Sequence, residues 1–180
     1  REAGVQPDDI AQTVQLLKTG IAAGRSAMGP MAEVVVRSTQ HLTDVDLQAM
    51  AVYLADLAPA SPPAPVLRAA DRPAPSATGE KIYTRHCAQC HGERGEGAPG
   101  AYAPLAGNRA VTMGHSANLV QAVLKGGFPP ATVGNPRPYG MPPFRQTLDD
   151  AEVAEVLSYI RQAWGNAAPT VSVLEVMQHQ

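Results

Sequence analysis

The sequence predicts an all-α chain made of two short helical parts, and three observations carry that expectation. Apolar residues recur at the i, i+3, i+4, i+7 spacing of a helix face in several segments, and no segment alternates convincingly as a strand. One helical block occurs twice, offset by 106 to 107 residues. A Pro/Ala-rich stretch separates the two copies.

In the first part, residues 1–58, a helix carrying Leu16 and Leu17 stops at Gly20. Gly29-Pro30-Met31 follows, and then Leu42-Thr43-Asp44 opens a second helix with Leu47, Met50, Ala51 and Leu54 on its apolar face. Thr43 or Asp44 stands where an N-cap belongs. Residues 59–75 are too rich in proline and alanine to pack a core and read as a semi-rigid linker.

The second part spans 76–168. A helix capped by Ser76 or Thr78 runs through Glu80, Ile82 and Tyr83 into Cys87, and the glycines of 92–97 end it in a turn. Pro104 to Asn108 is a loop. Asn118 to Lys125 is a helix stopped by Gly126-Gly127, and Pro129 to Pro143 is a long extended loop. The last helix, capped by Asp149 or Asp150, runs to Trp164 and ends at Gly165-Asn166. In the tail, 169–180, the segment Val171–Val176 reads as an arm that could dock on a partner.

The repeat is visible residue by residue. Leu17-Lys18-Thr19-Gly20 matches Leu124-Lys125-Gly126-Gly127, and Leu42-Thr43-Asp44 matches Leu148-Asp149-Asp150. Leu47, Met50, Ala51, Tyr53 and Leu54 match Val153, Val156, Leu157, Tyr159 and Ile160. Gly29-Pro30-Met31 takes the place of Gly140-Met141-Pro142 with altered spacing.

Composition bounds the function. The formal net charge of −2 indicates no basic surface for nucleic acid. Aromatic residues are only 4%, poor material for a self-sufficient core unless a large apolar cofactor completes it. No apolar run approaches the roughly 18 residues needed to span a membrane.

The chemistry is concentrated in Cys87-Ala88-Gln89-Cys90-His91, a C-x-x-C-H string of the kind that attaches c-type haem. On a helical turn, residues three and four apart share a face. Two sulfurs can then reach the two vinyl groups of one porphyrin, and His91 can supply the proximal imidazole. A redox dithiol would want a βαβ setting, which is missing here. Structural zinc wants four ligands, and the chain's only two cysteines are both in this string, so zinc would need His91 and a distant histidine. The reading is therefore one covalent haem c, on Cys87 and Cys90, with iron bound by His91.

The sixth ligand should lie downstream on a non-helical stretch. Met141 stands 50 residues after His91, between Gly140 and Pro142-Pro143, which bar a helix. A thioether is a soft, neutral ligand that raises the haem potential. Met50 and Met113 read as core filler. His41, His86 and His179 read as solvated or locally hydrogen-bonded, and His115 is the alternative axial ligand.

By the offset of the repeat, a C-x-x-C-H belonging to the first copy would fall before Arg1. Residues 1–58 thus read as the second half of a haem domain. Met31 is its candidate axial ligand, for a haem supplied by upstream sequence, with Met28 as substitute.

These residues resemble class I c-type cytochromes: Gly79, Tyr83, Cys87-x-x-Cys90-His91-Gly92, Pro104-Leu105, Gly140-Met141-Pro142, then a helix with Tyr159. More narrowly, four strings are similar to the last domain of multihaem cytochrome c subunits of bacterial membrane-bound alcohol and gluconate dehydrogenases. They are Pro104-Leu105-Ala106-Gly107-Asn108, Gly126-Gly127-Phe128-Pro129-Pro130, Pro138 to Phe144, and Trp164-Gly165-Asn166. Residues 28–57 resemble the end of that family's middle domain. Family members carry three C-x-x-C-H motifs, and this chain has one.

The resemblance implies a cytochrome c-like haem domain preceded by an N-terminally truncated cytochrome c-like half-domain. It implies that Pro104 positions a backbone carbonyl to accept the His91 Nδ1 proton, and that Gly79 and Tyr83 pack on the last helix near Leu157 and Ile160. It also implies an electron carrier rather than an enzyme, exported to the periplasm. Its donor would be a dehydrogenase catalytic subunit. Its acceptor would be quinone, an oxidase or another cytochrome, with membrane-surface association through the complex. Two other readings compete: a haem enzyme of the dihaem peroxidase type, which calls for a second C-x-x-C-H, and a docking module of a larger complex.

Overall fold

The computed structural model describes residues 5–57 and 74–180, which form two compact units. The first contains 5–57 together with 127–140, and the second contains 74–126 and 141–180. Most of the expected linker, 58–73, lies outside the described residues.

In the first unit, α1 (Ile10–Thr19) ends at Gly20, whose left-handed φ of +80° lets its N–H bond Leu16 O. A minimal hairpin follows, β1 (Ile21–Ala22) and β2 (Arg25–Ser26). Ala23 and Gly24 both take positive φ, the geometry of a two-residue hairpin turn. An all-helical reading did not include these strands, because two residues are too few to show a period.

Helix α2 is Pro30–Arg37, with the proline in its first turn, and α3 is Asp44–Asp56. Thr43 is the N-cap of α3, accepting from Asp46 N at 3.2 Å. Thr39 Oγ1 donates to Leu17 O at 2.5 Å and Lys18 Nζ to Leu42 O at 2.6 Å, tying α1 to the approach to α3. Val35, Leu47 and Ala51 are fully buried, while Met50, Tyr53 and Leu54 remain exposed.

The second unit is built on the packing of α4 (Ala77–His86) against α8 (Asp150–Gln162). Ser76 caps α4, and Asp149 caps α8 in a reciprocal box with Glu152. Gly79 stands where the helices cross: a Cβ there would overlap the Glu155 carbonyl and lie 2.7 Å from Tyr159 Cβ. The close approach buries Ile82 and Tyr83 against Val156, Leu157, Tyr159 and Ile160.

Between them run α5 (Ala88–His91), α6 (Arg109–Thr112) and α7 (Ala117–Lys125). Cys87 separates α4 from α5, so the expected single helix is two. Arg161 is fully buried in α8. It is satisfied by carbonyls, Nε on Pro169 O at 2.7 Å and an Nη on Val111 O at 2.8 Å.

The tail differs from expectation. It does not project toward a partner but folds onto its own unit as α9 (Val173–Gln178). Val171 and Val176 are buried, and Ser158 Oγ and Val171 exchange hydrogen bonds. Among the described residues no helix is long and apolar enough to cross a membrane.

Candidate functional site

Cys87 to His91 form one helical turn. Cys87 O accepts from Cys90 N at 3.1 Å and from His91 N at 2.9 Å. Both thiols are free and half-buried. Burial, with the neighbouring Cys90, pushes the Cys87 thiol up to about 11, so it is held protonated.

His91 Nδ1 lies 2.8 Å from the Ala103 carbonyl oxygen. A carbonyl only accepts, so Nδ1 carries the proton and Nε2 keeps its lone pair, with no hydrogen-bond partner among the described residues. Burial lowers the His91 pKa, partly opposed by this bond, and favours the neutral ring. The acceptor is thus one residue earlier than Pro104. Pro104 shares the peptide of the Ala103 carbonyl, while its own carbonyl accepts from Asn108 Nδ2 at 2.8 Å.

The loop that presents Ala103 is held from several sides. Tyr83 donates its hydroxyl to Gly92 O at 2.6 Å, and Gly97 N bonds His91 O at 2.7 Å. Leu105 and Ala106 both donate to Gly95 O. Asn166 Nδ2 donates to Leu105 O at 3.1 Å and to Ile160 O at 2.8 Å, while its Oδ1 accepts from Gly107 N at 2.9 Å. The Trp164 ring covers Gly95, where a Cβ would lie 2.6 Å from it, and packs edge-on to Tyr159. Trp164 takes a left-handed φ of +54°, rare for so large a residue. In the sequence Trp164 and Asn166 mark only the end of the last helix and one family-like string. Their work is to hold a loop, which no local pattern announces.

Met141 is half-buried on the same core cluster that Cys87, Ala88, Leu105, Leu119 and Phe144 border. A side chain at Gly126 would overlap the Met141 carbonyl oxygen, so the end of α7 and the segment at Met141 meet backbone to backbone. Phe144 N then bonds Val123 O at 2.9 Å and Arg145 N bonds Leu124 O at 3.3 Å. Met31, by contrast, is the second residue of α2 and half-exposed. His115, the alternative ligand, is exposed, and His86 sits edge-on to Phe144.

This donor set fits a c-type haem. Two free thiols and an imidazole share a turn, the imidazole presents a lone pair, and a thioether borders the same apolar cluster. Among the described residues no three His, Cys, Asp or Glu side chains converge as a group that could hold a metal ion.

The cytochrome c family model matches residues 76–164. The chain is 37% identical, over 180 aligned residues and 95% of its length, to the cytochrome c subunit of the quinone alcohol dehydrogenase of Gluconobacter oxydans, covering 37% of that protein. It is 35% identical over 90% of its length to the gluconate 2-dehydrogenase cytochrome c subunit of Pantoea cypripedii, covering 39% of it. The chain therefore spans well under half the length of these dehydrogenase subunits. It is also 38% identical to cytochrome c-552 of Thermus thermophilus over 94 residues, which covers 51% of the chain and 71% of that protein. The chain belongs to the cytochrome c family.

Proposed function

We propose that this chain carries electrons through one covalently bound haem c, as part of a cytochrome subunit that relays them from a dehydrogenase to quinone or the respiratory chain. The observation that carries the reading is the Cys87–His91 turn, with His91 Nδ1 engaged by Ala103 and Nε2 left to bind. Bound there, a haem supplies one-electron exchange between ferric and ferrous iron.

Cys87 and Cys90 would attach the haem, and His91 and Met141 would hold its iron. With both residues bound, the iron would keep no place for a substrate. The chain's own part is to fix the imidazole, keep it neutral, and border the site with Leu105, Leu119 and Phe144. The relatives' names support a dehydrogenase as electron donor, and quinone is named for one of them. The peroxidase-type reading has no support from the relatives named above, which are a cytochrome and two dehydrogenase cytochrome subunits. Periplasmic location, and association with a membrane surface through the complex, follow from the same reading.

Residues 1–58 are, on this reading, the second half of another haem domain. The support is the repeated pair of helices, α1 and α3 against α7 and α8. Met31 is the residue such a site would use.

The test is spectroscopic. Full chain matured with cytochrome c assembly machinery should give one pyridine haemochrome per chain and a low-spin spectrum with a Met–iron charge-transfer band. Met141→Ala should abolish that band and lower the reduction potential, because a soft neutral ligand is lost. Protein without covalent haem, or a Met141→Ala variant with unchanged band and potential, would overturn the assignment.

A further inference from the structure

A carbonyl fixes the ring of His91, and that carbonyl has to be fixed in turn. Ala103 O, which accepts from His91 Nδ1, lies inside the loop 95–107. The first half of the loop is held by its own neighbours in sequence. Gly97 N bonds His91 O, and Ala98 and Tyr102 exchange backbone bonds of 2.9 and 2.8 Å. A Cβ at Gly97 would lie 2.8 Å from the Ala103 carbonyl carbon, so backbone packs on backbone beside the acceptor.

The second half is held from a distant part of the same unit. Asn166 is buried just past the end of α8. Its side-chain amide donates to Leu105 O and to Ile160 O and accepts from Gly107 N. One amide therefore ties two loop residues to the last turn of α8. The chain reaches that place through a strained residue, Trp164, with its left-handed φ of +54°. Such strain persists only where the surroundings over-determine it, and it gathers at functional sites. Here it seats the Trp164 ring on Gly95, whose carbonyl accepts from Leu105 N and Ala106 N. Ring and amide thus grip the two sides of one short ladder.

We infer that Asn166 is a positioning residue for His91. By holding residues 105–107 it sets the strength of the His91–Ala103 hydrogen bond, and through that bond the electron density that the imidazole offers. The inference rests on the reading of His91 as a haem ligand. A ligating imidazole that gives its other N–H to a carbonyl becomes a more basic donor, which favours ferric over ferrous iron. If the loop drifts, the bond weakens, the imidazole donates less and the reduction potential rises. Plain loosening of the unit has the opposite sign. Water admitted to the site stabilises the more highly charged ferric state and lowers the potential.

Asn166→Leu keeps the volume and removes the three hydrogen bonds. In the haem-loaded full chain it should raise the reduction potential. In the ferrous protein the His91 Nδ1 proton should exchange with solvent roughly fivefold faster, the shift in loop opening expected from one lost hydrogen bond. Should Asn166→Leu fail to fold, Gly107→Val decides the matter. A Cβ there meets nothing, but a β-branched residue abandons the φ of +66° at which Gly107 N meets Asn166, so both readings should move the same way. Val176→Ala opens a cavity in α9, which packs on α7 and α8. It should destabilise the unit yet leave the potential unchanged and the exchange within about twofold of the parent. A potential that falls in the folded Asn166 or Gly107 variant, or one that stays put with unchanged exchange, makes Asn166 a structural residue only and overturns the inference. The ligand reading is checked separately in the ferrous parent, where a porphyrin ring current should shift the His91 ring protons far upfield. If they are not shifted, His91 is not the ligand, and the inference falls with that reading.

Discussion

Helices α3 and α8 are two copies of one pattern that meet different fates. Each has 13 residues, each is capped by a side chain at its N-terminus, and each places a tyrosine before its last large apolar position. In α8, Val156, Tyr159 and Ile160 are 1%, 7% and 5% exposed. Their counterparts in α3, Met50, Tyr53 and Leu54, are 38%, 65% and 36% exposed. The difference is α4. Gly79 lets its backbone reach α8, and Ile82 and Tyr83 cover the face that α3 leaves open. Residues at helical spacing make a helix in both copies. Leu47 and Ala51 of α3 are buried in its own unit, but whether the helix buries its other apolar positions depends on a helix placed like α4, for which the first unit has no counterpart among the described residues.

The largest expected effect breaks the comparison at its tyrosines. Tyr159→Ala should cost about 3–5 kcal/mol, the range for removing a buried aromatic ring, and Tyr53→Ala should stay within about 0.5 kcal/mol. Chemical denaturation of the two haem-loaded variants measures both. Equal losses would mean that α3 is covered as fully as α8.

A smaller effect tests the cause. Gly79→Ala gains about 1 kcal/mol of helix propensity but drives a methyl group into the Glu155 carbonyl and Tyr159. The wedge should win, for a net loss of about 1–3 kcal/mol. The position in α3 that matches Glu155 is Ala49, which is exposed. Enlarging it, as Ala49→Gln, should meet nothing and change stability by less than about 0.5 kcal/mol. A neutral or stabilising Gly79→Ala would show that α4 and α8 have room to separate and that something else buries Tyr159.

How much of this was legible in the sequence follows the same division. The Cys87–His91 turn was legible because covalent attachment dictates both residue type and spacing. The N-caps at Thr43, Ser76 and Asp149 were legible because each cap is a local contest for three or four amide groups. Ala103 was not, since a main-chain carbonyl can belong to any residue and its partner lies 12 positions away. The attachment of 127–140 to the end of α1 was not legible either. It rests on a proline over a glycine and one hydroxyl across 113 residues, and such contacts leave no period in the sequence. The tail follows the same logic: Val171 and Val176 are as apolar as a docking arm requires, and only tertiary packing decides that they are buried in their own unit.

The smallest expected effect concerns that tail. The Glu175 carboxylate accepts from Ser172 N at 2.8 Å, from Ser172 Oγ at 2.8 Å and from Ser116 Oγ at 3.1 Å. The bonds from Ser172, chiefly, hold its pKa below the usual carboxylate value. A carboxyl whose pKa is depressed by folding stabilises the fold fully above the unfolded value, about 4.3, and loses that contribution as pH falls through the lower folded value. Acid should therefore loosen α9 before it melts the α4–α8 core. Hydrogen exchange at Val176 N, whose acceptor is Ser172 O, should accelerate relative to amides within α8 as pH is lowered from about 6 toward about 3.5, after correction for intrinsic rates. Glu175→Gln should remove most of that pH dependence while leaving α8 protection unchanged. If the variant and the parent lose Val176 protection in parallel, the tail is held by Val171 and Val176 alone, and its cap adds nothing measurable.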